Sequence, residues 1–175
     1  MIEWMAGRMA EGIKKRAPDH PASVAVMRHA LAVLINTISI LLLSIAIGAA
    51  TGKLLEVLVV LISFAALRMV SGGVHLESGT WCVIITTVGA TTISHLEFSQ
   101  GWTIGLTIAA IVLAAWFAPT DIHKQSRIPQ EHYPKLKAIS VLIIASNFIV
   151  GSSIVAASFF VQTVLLIPGR GVKNR

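Results

Sequence analysis

Apolar and polar positions along this chain segregate into long blocks rather than alternating residue by residue. Residues 24–50, 54–70, 80–98, 102–118 and 138–167 are near-continuous apolar runs, and short polar stretches separate them. A helix needs about 20 apolar residues to cross a hydrocarbon core ~30 Å thick. In lipid, backbone polar groups must be satisfied inside a helix or a closed barrel, and barrel strands alternate in polarity. These runs do not alternate, so they predict helices. As a single helix the last run would rise ~45 Å, well beyond the core. Its Asn147 and its Gly151-Ser152-Ser153 predict a break near Gly151, giving segments 138–150 and 152–167.

The expected fold is therefore all-α. It is one polytopic integral membrane domain over 1–175 with about six membrane segments; five, with the last strongly tilted, is the alternative. Ahead of the first span, residues 1–17 hold Ile2, Trp4, Met5, Met9 and Ile13, with Arg8, Glu11, Lys14, Lys15 and Arg16 between them. That spacing predicts an amphipathic helix lying in the membrane interface, against the plainer reading of a basic arm. Pro18 and Pro21 end it.

Composition agrees with the pattern. Of 175 residues, 55% are hydrophobic and 13% are charged, where a soluble domain carries roughly 25% charged residues. The net charge of +6 does not point to nucleic acid. With the N-terminus placed in the cytoplasm and six segments, every one of the fourteen lysines and arginines except Lys53 falls on the inner side, as the positive-inside rule demands. The expected setting is a cell membrane, with both termini and the 68–79 loop cytoplasmic. One cysteine rules out an intramolecular disulfide.

Candidate chemistry concentrates in residues 68–82, where Arg68, Gly72, Gly73, His75 and the sole cysteine, Cys82, lie between two apolar runs. A cysteine attacks as its thiolate and needs a base or a nearby positive charge. His75 can take the proton, and Arg68 or a helix N-terminus can favour the charged sulfur. On a straight helix, residues seven apart are ~10 Å apart along the axis. Gly72, Gly73 and Gly79 would let the segment fold back, and glycine also allows backbone amides to approach a substrate carbonyl. The alternatives are a core thiol, an interfacial histidine and an arginine that only marks the inner face. A metal held by His75, Glu77 and Cys82 lacks a fourth ligand and matches no common zinc spacing, so neither metal nor cofactor is expected. His20, His29, His123 and His132 read as interfacial, and His95 as a polar cap on the third span. Residues 119–137 carry Lys124, Arg127, Lys135 and Lys137, either a solvated loop or a reader of an acidic peptide tail.

The pattern Arg68, Gly72, Gly73, His75 and Cys82 resembles the accessory gene regulator B family of bacterial membrane peptidases. Ala118-Pro119-Thr120-Asp121, followed by Ile128-Pro129 and Lys135-Leu136-Lys137, is similar to that family's region after the fourth span, although Ile-Pro preceded by Arg127 stands where the family has Lys-Pro-Ile. The resemblance implies a cysteine endopeptidase maturing a quorum-sensing propeptide, with Cys82 as nucleophile, His75 as base, and Arg68, Gly72 and Gly73 in support. It implies an amphipathic propeptide at the inner leaflet, a thioester to Cys82, a thiolactone, lactone or linear product, and a homodimer. It carries over no third catalytic residue; Ser71, Glu77 and Ser78 are local candidates. A small peptide exporter would depend instead on in-span polar residues such as Glu56 and Asn147. A structural membrane partner would need neither His75 nor Cys82.

Overall fold

A computed structural model of the chain describes residues 1–73, 78–120 and 129–167, and these form helices and their connections. The first helix, α1 (Ile2–Arg16), has Glu3 in its first turn and Lys14, Lys15 and Arg16 in its last, so both ends complement the helix dipole. The 27-residue α2 (Val24–Ala50) starts at Ser23, whose hydroxyl accepts from the Val26 N–H. It stops at Thr51-Gly52, with Gly52 in the left-handed region. Helices α3 (Leu54–Ser71), α4 (Gly79–Ser94) and α5 (Gln100–Phe117) follow. A 3₁₀ turn (Gln130–His132) leads into α6 (Tyr133–Ala145), α7 (Asn147–Val150) and α8 (Ser153–Val164).

The third apolar run is helical only to Ser94, and His95 is its C-cap residue. The last run begins earlier than its apolar stretch, because Pro134 suits a helix's first turn. It breaks at Gly151, whose φ of 65° an L side chain resists. Asn147, almost wholly buried, seals that break. Its Nδ2 donates to Thr107 Oγ1 and the Ser152 carbonyl, and its Oδ1 accepts from the Ser152 N–H. At the same end of the bundle Lys53 pairs with Glu56 at 3.3 Å. Both in-span polar residues that an exporter would rely on thus have structural partners.

Among the described residues, four helical stretches are long and apolar enough to cross a membrane: Val24–Ala50, Leu54–Ser71, Gln100–Phe117 and Gln130–Val150. Helices α4 and α8, at 16 and 12 residues, are shorter. A rise of ~18 Å leaves α8 well short of a ~30 Å core. Its position offsets this, because α8 runs through the middle of the bundle against α3, α4 and α5. Surrounding protein, rather than lipid, then meets its ends. Alanines allow the close approach: Ala110, Ala114 and Ala118 of the α5 stripe join Leu67, Ile144, Val155, Phe159 and Leu166 in one cluster. Val60, Ala90, Ile93 and Ala157 form a second. Small residues at helix contacts are what packing in lipid requires, since burial alone does not drive helices together there.

Helix α2 lies outside, against α1, α3 and α4, and its Leu34, Ile38, Leu42 and Ile45 are exposed as lipid-facing side chains. It comes close to α3 at Gly48, where an added Cβ would sit 3.2 Å from the Leu54 Cα. Gly89 in α4 has open space instead. Gly48→Ala is therefore expected to lower the melting temperature in detergent, at a cost of about 1–3 kcal/mol. Gly89→Ala, relieved of a helix-interior glycine, should raise stability by roughly 0.5–1 kcal/mol. Equal shifts for the two variants would refute the close α2–α3 approach.

Candidate active site

Helix α3 ends in a polar knot. Gly72 (φ 71°) and Gly73 (φ 124°) turn the chain out of the helix through conformations that L side chains rarely adopt. As it leaves, the backbone meets the segment after α5. The Gly73 N–H donates to the Thr120 carbonyl (2.9 Å), and the Thr120 N–H donates to the Ser71 carbonyl (3.0 Å), a short parallel pairing. The Thr120 hydroxyl reaches the carbonyls of Phe117 and Leu166. Two stretches far apart in sequence, Arg68–Gly73 and Ala118–Thr120, are thereby one structural unit.

Gln162 of α8 locks this unit from beneath. It is fully buried, donates through Nε2 to the Gly72 carbonyl (2.8 Å) and to Ser71 Oγ (3.2 Å), and accepts through Oε1 from Arg68 Nη1 at 3.4 Å. Arg68 also lies over the Phe64 ring at 5.9 Å. Ser71, a local candidate for a third catalytic group, is itself fully buried and serves this lattice. The glycine amides are engaged too, Gly72 N–H with the Arg68 carbonyl and Gly73 N–H with Thr120. In this arrangement those amides shape the turn.

Cys82 stands in the first turns of α4, half-buried, with its N–H on the Ser78 carbonyl. Its Sγ is 4.0 Å from Thr86 Oγ1, one helical turn on. Helices α3 and α4, which carry Arg68 and Cys82, pack against each other. His75 and Glu77 lie outside the described residues, as do Lys124 and Arg127. Lys135 and Lys137 occupy the opening turns of α6, Lys135 exposed and Lys137 half-buried.

The start of α4 is held by α1. Glu3 Oε1 accepts from the Gly79 N–H at 2.6 Å, and an added Cβ at Gly79 would come 3.2 Å from that oxygen. Ile2, Ala6 and Ala10 form the docked face of α1. Trp4, Met5, Met9 and Ile13 remain exposed, with Arg8 over the Trp4 ring. The single apolar face expected from the sequence is in fact two, because Ile2 leaves the lipid-facing set to join the small residues against the protein. Glu3 and Gln162 were not among the sequence candidates. Gln162 had a readable signal, a lone amide one helical turn after Ser158 in an apolar helix; Glu3 had only its place in a first turn.

The fold and these residues describe a helical membrane protein with a half-buried thiol at the start of α4 and a braced guanidinium near the end of α3. The model of the family Accessory gene regulator B matches residues 6–167, and the chain belongs to that family. A curated protein named "Putative AgrB-like protein", from Halalkalibacterium halodurans, is 24% identical over 166 residues, covering 95% of this chain and 84% of the relative. No solved structure matches the chain.

The Glu3 contact has a pH signature. The Gly79 N–H, above all, holds the Glu3 carboxyl below its ordinary value of 4.5. A carboxyl depressed in the folded state stabilises above its ordinary pKa and loses that contribution as pH falls through the folded value. Hydrogen-exchange protection of the first α4 turn should hold at neutral pH and be lost only as pH falls below the ordinary carboxyl value of 4.5. In Glu3→Gln it should be weaker at neutrality and flat across that acidic range. A wild-type profile as flat as the variant's would remove the cap.

Proposed function

We propose that this chain is a membrane cysteine endopeptidase that removes the C-terminal tail of a quorum-sensing propeptide. The observation that carries this reading is the sole thiol in the first turns of α4, a helix that packs against α3, whose end bears an Arg68 guanidinium bonded to Gln162 beside the Gly72–Thr120 crossing. Belonging to the accessory gene regulator B family supplies the regulatory setting and the propeptide as the class of substrate.

The reaction follows from thiol chemistry. His75 takes the Cys82 proton, and the sulfur attacks the carbonyl carbon before the acidic tail. Negative charge collects on that oxygen in the tetrahedral intermediate, and positive charge close by lowers its energy. The carbon–nitrogen bond then breaks, His75 returns the proton to the leaving amine, and a thioester to Cys82 remains. A thiol or hydroxyl of the substrate displaces Cys82 to close a thiolactone or lactone; water in its place yields a linear peptide. Lys124, Arg127, Lys135 and Lys137 attract the acidic tail, and the propeptide's amphipathic part lies on the inner leaflet. In this reading six segments cross or enter the bilayer, the site and both termini face the cytoplasm, and two copies work as a homodimer.

Co-expression with a candidate propeptide, followed by mass spectrometry of intact protein, tests this. Cys82→Ala and His75→Ala should abolish tail release while the protein still accumulates in the membrane. Wild type should yield an adduct of the leader's mass on Cys82. Arg68→Gln should lower kcat about a hundredfold with a smaller change in KM. Lys135→Ala with Lys137→Ala should instead raise KM, and added salt should shrink the difference. Tail release that survives in Cys82→Ala refutes the peptidase.

A further inference from the structure

We propose that the cavity between the first turns of α5 and the Gly151 break is a binding site for a primary alkylammonium group. It lies at the other end of the bundle from the glycine turn, because α5 begins beside it at Gln100 and ends at Phe117, next to the segment that pairs with Gly73. None of its residues belongs to the peptidase site.

The cavity measures about 410 Å³, and Phe98, Gln100, Thr103, Thr107, Asn147 and Phe148 are among its lining residues. That size is ordinary for a small-ligand site. Its floor is polar inside an apolar bundle, for Thr103, Thr107 and Asn147 are all buried. Their donors are already committed. The Thr103 hydroxyl donates to the Ser99 carbonyl (3.2 Å) and the Thr107 hydroxyl to the Thr103 carbonyl (2.8 Å). Both hydrogens of the Asn147 amide are used, on Thr107 Oγ1 and on the Ser152 carbonyl. Ser153, also in the lining, donates to the Leu96 carbonyl. What Thr103, Thr107 and Asn147 retain is lone-pair capacity on their side-chain oxygens. A ligand that meets this floor must donate hydrogen bonds, and an anion would face lone pairs. A primary ammonium brings three N–H donors, and phenylalanine walls favour a cation. Among the described residues no lining side chain is charged, so no protein cation competes. Ile104 and Phe148 are exposed, and so is Gln100, whose amide can offer either face. That side stays open, and the charge need not be fully desolvated.

Ethanolamine and choline are both hydroxylated monovalent cations at neutral pH, but only ethanolamine has N–H donors. With the full-length protein in a neutral detergent, ethanolamine should raise the melting temperature saturably, and choline at equal concentration should not. Thr103→Val removes a floor acceptor whose hydroxyl bonds only to the cap of its own helix. It should weaken ethanolamine binding about tenfold. Phe148→Leu, at an exposed position, should weaken it about threefold. Equal shifts from the two cations overturn the proposal, as does the lack of any saturable shift. Wild-type affinity in both variants moves the binding elsewhere and overturns it too. If Thr103→Val does not accumulate, Phe148→Leu decides alone. Nanodiscs made with phosphatidylethanolamine or with phosphatidylcholine identify the source of the ammonium. A lipid headgroup in the site would abolish the ethanolamine shift in the first and preserve it in the second. A shift that survives in both points to a soluble amine. Either result upholds an ammonium site.

Discussion

The arrangement depends on how a non-helical backbone is satisfied inside an apolar bundle. At the end of α3 two glycines leave the helix, and their amides and carbonyls need partners that lipid cannot supply. The strand-like pairing of Ser71 and Gly73 with Thr120, and the Gln162 amide on the Gly72 carbonyl, provide those partners. Each bond uses a group that would otherwise be buried unpaired, where loss costs about 1–3 kcal/mol. The same bonds that make the turn tolerable also fix Arg68, which leaves α3 one turn earlier.

That constraint explains the unusual centre of the bundle. Helix α8 is too short to span a bilayer alone, yet it is the most enclosed element, with Ala156, Ser158, Gln162 and Thr163 wholly buried. Its length suits a helix that carries an amide from the Gly151 break down to the glycine turn. Asn147 at one end and Gln162 at the other perform the same service, each satisfying backbone where a helix stops. The alanine stripe along α5, with Ala156 on α8, lets the helices approach closely enough for those short polar side chains to reach.

Helix α1 links an open apolar face to the start of α4. Its small face is docked and its large apolar face is open, with basic residues at its C-terminal end. The Glu3 carboxylate on Gly79 sets the position of the turn that bears Cys82. A carboxylate at a helix N-terminus also offsets some of that end's positive potential.

Much was legible in the sequence because hydrophobic length and residue chemistry act locally. Continuous apolar runs specify membrane helices, Gly151 with Asn147 marks a break, and Arg68, Gly72, Gly73 and Cys82 are residue types whose chemistry shows at short spacing. What the sequence could not order was contact between distant segments. That Thr120 pairs with Gly73, that Gln162 reaches Arg68, and that Glu3 caps the cysteine's helix follow from how α1, α5 and α8 pack around α3 and α4. A lone buried amide or an acidic residue in a first turn has many possible partners along a chain. Only the close packing of helices in three dimensions selects one.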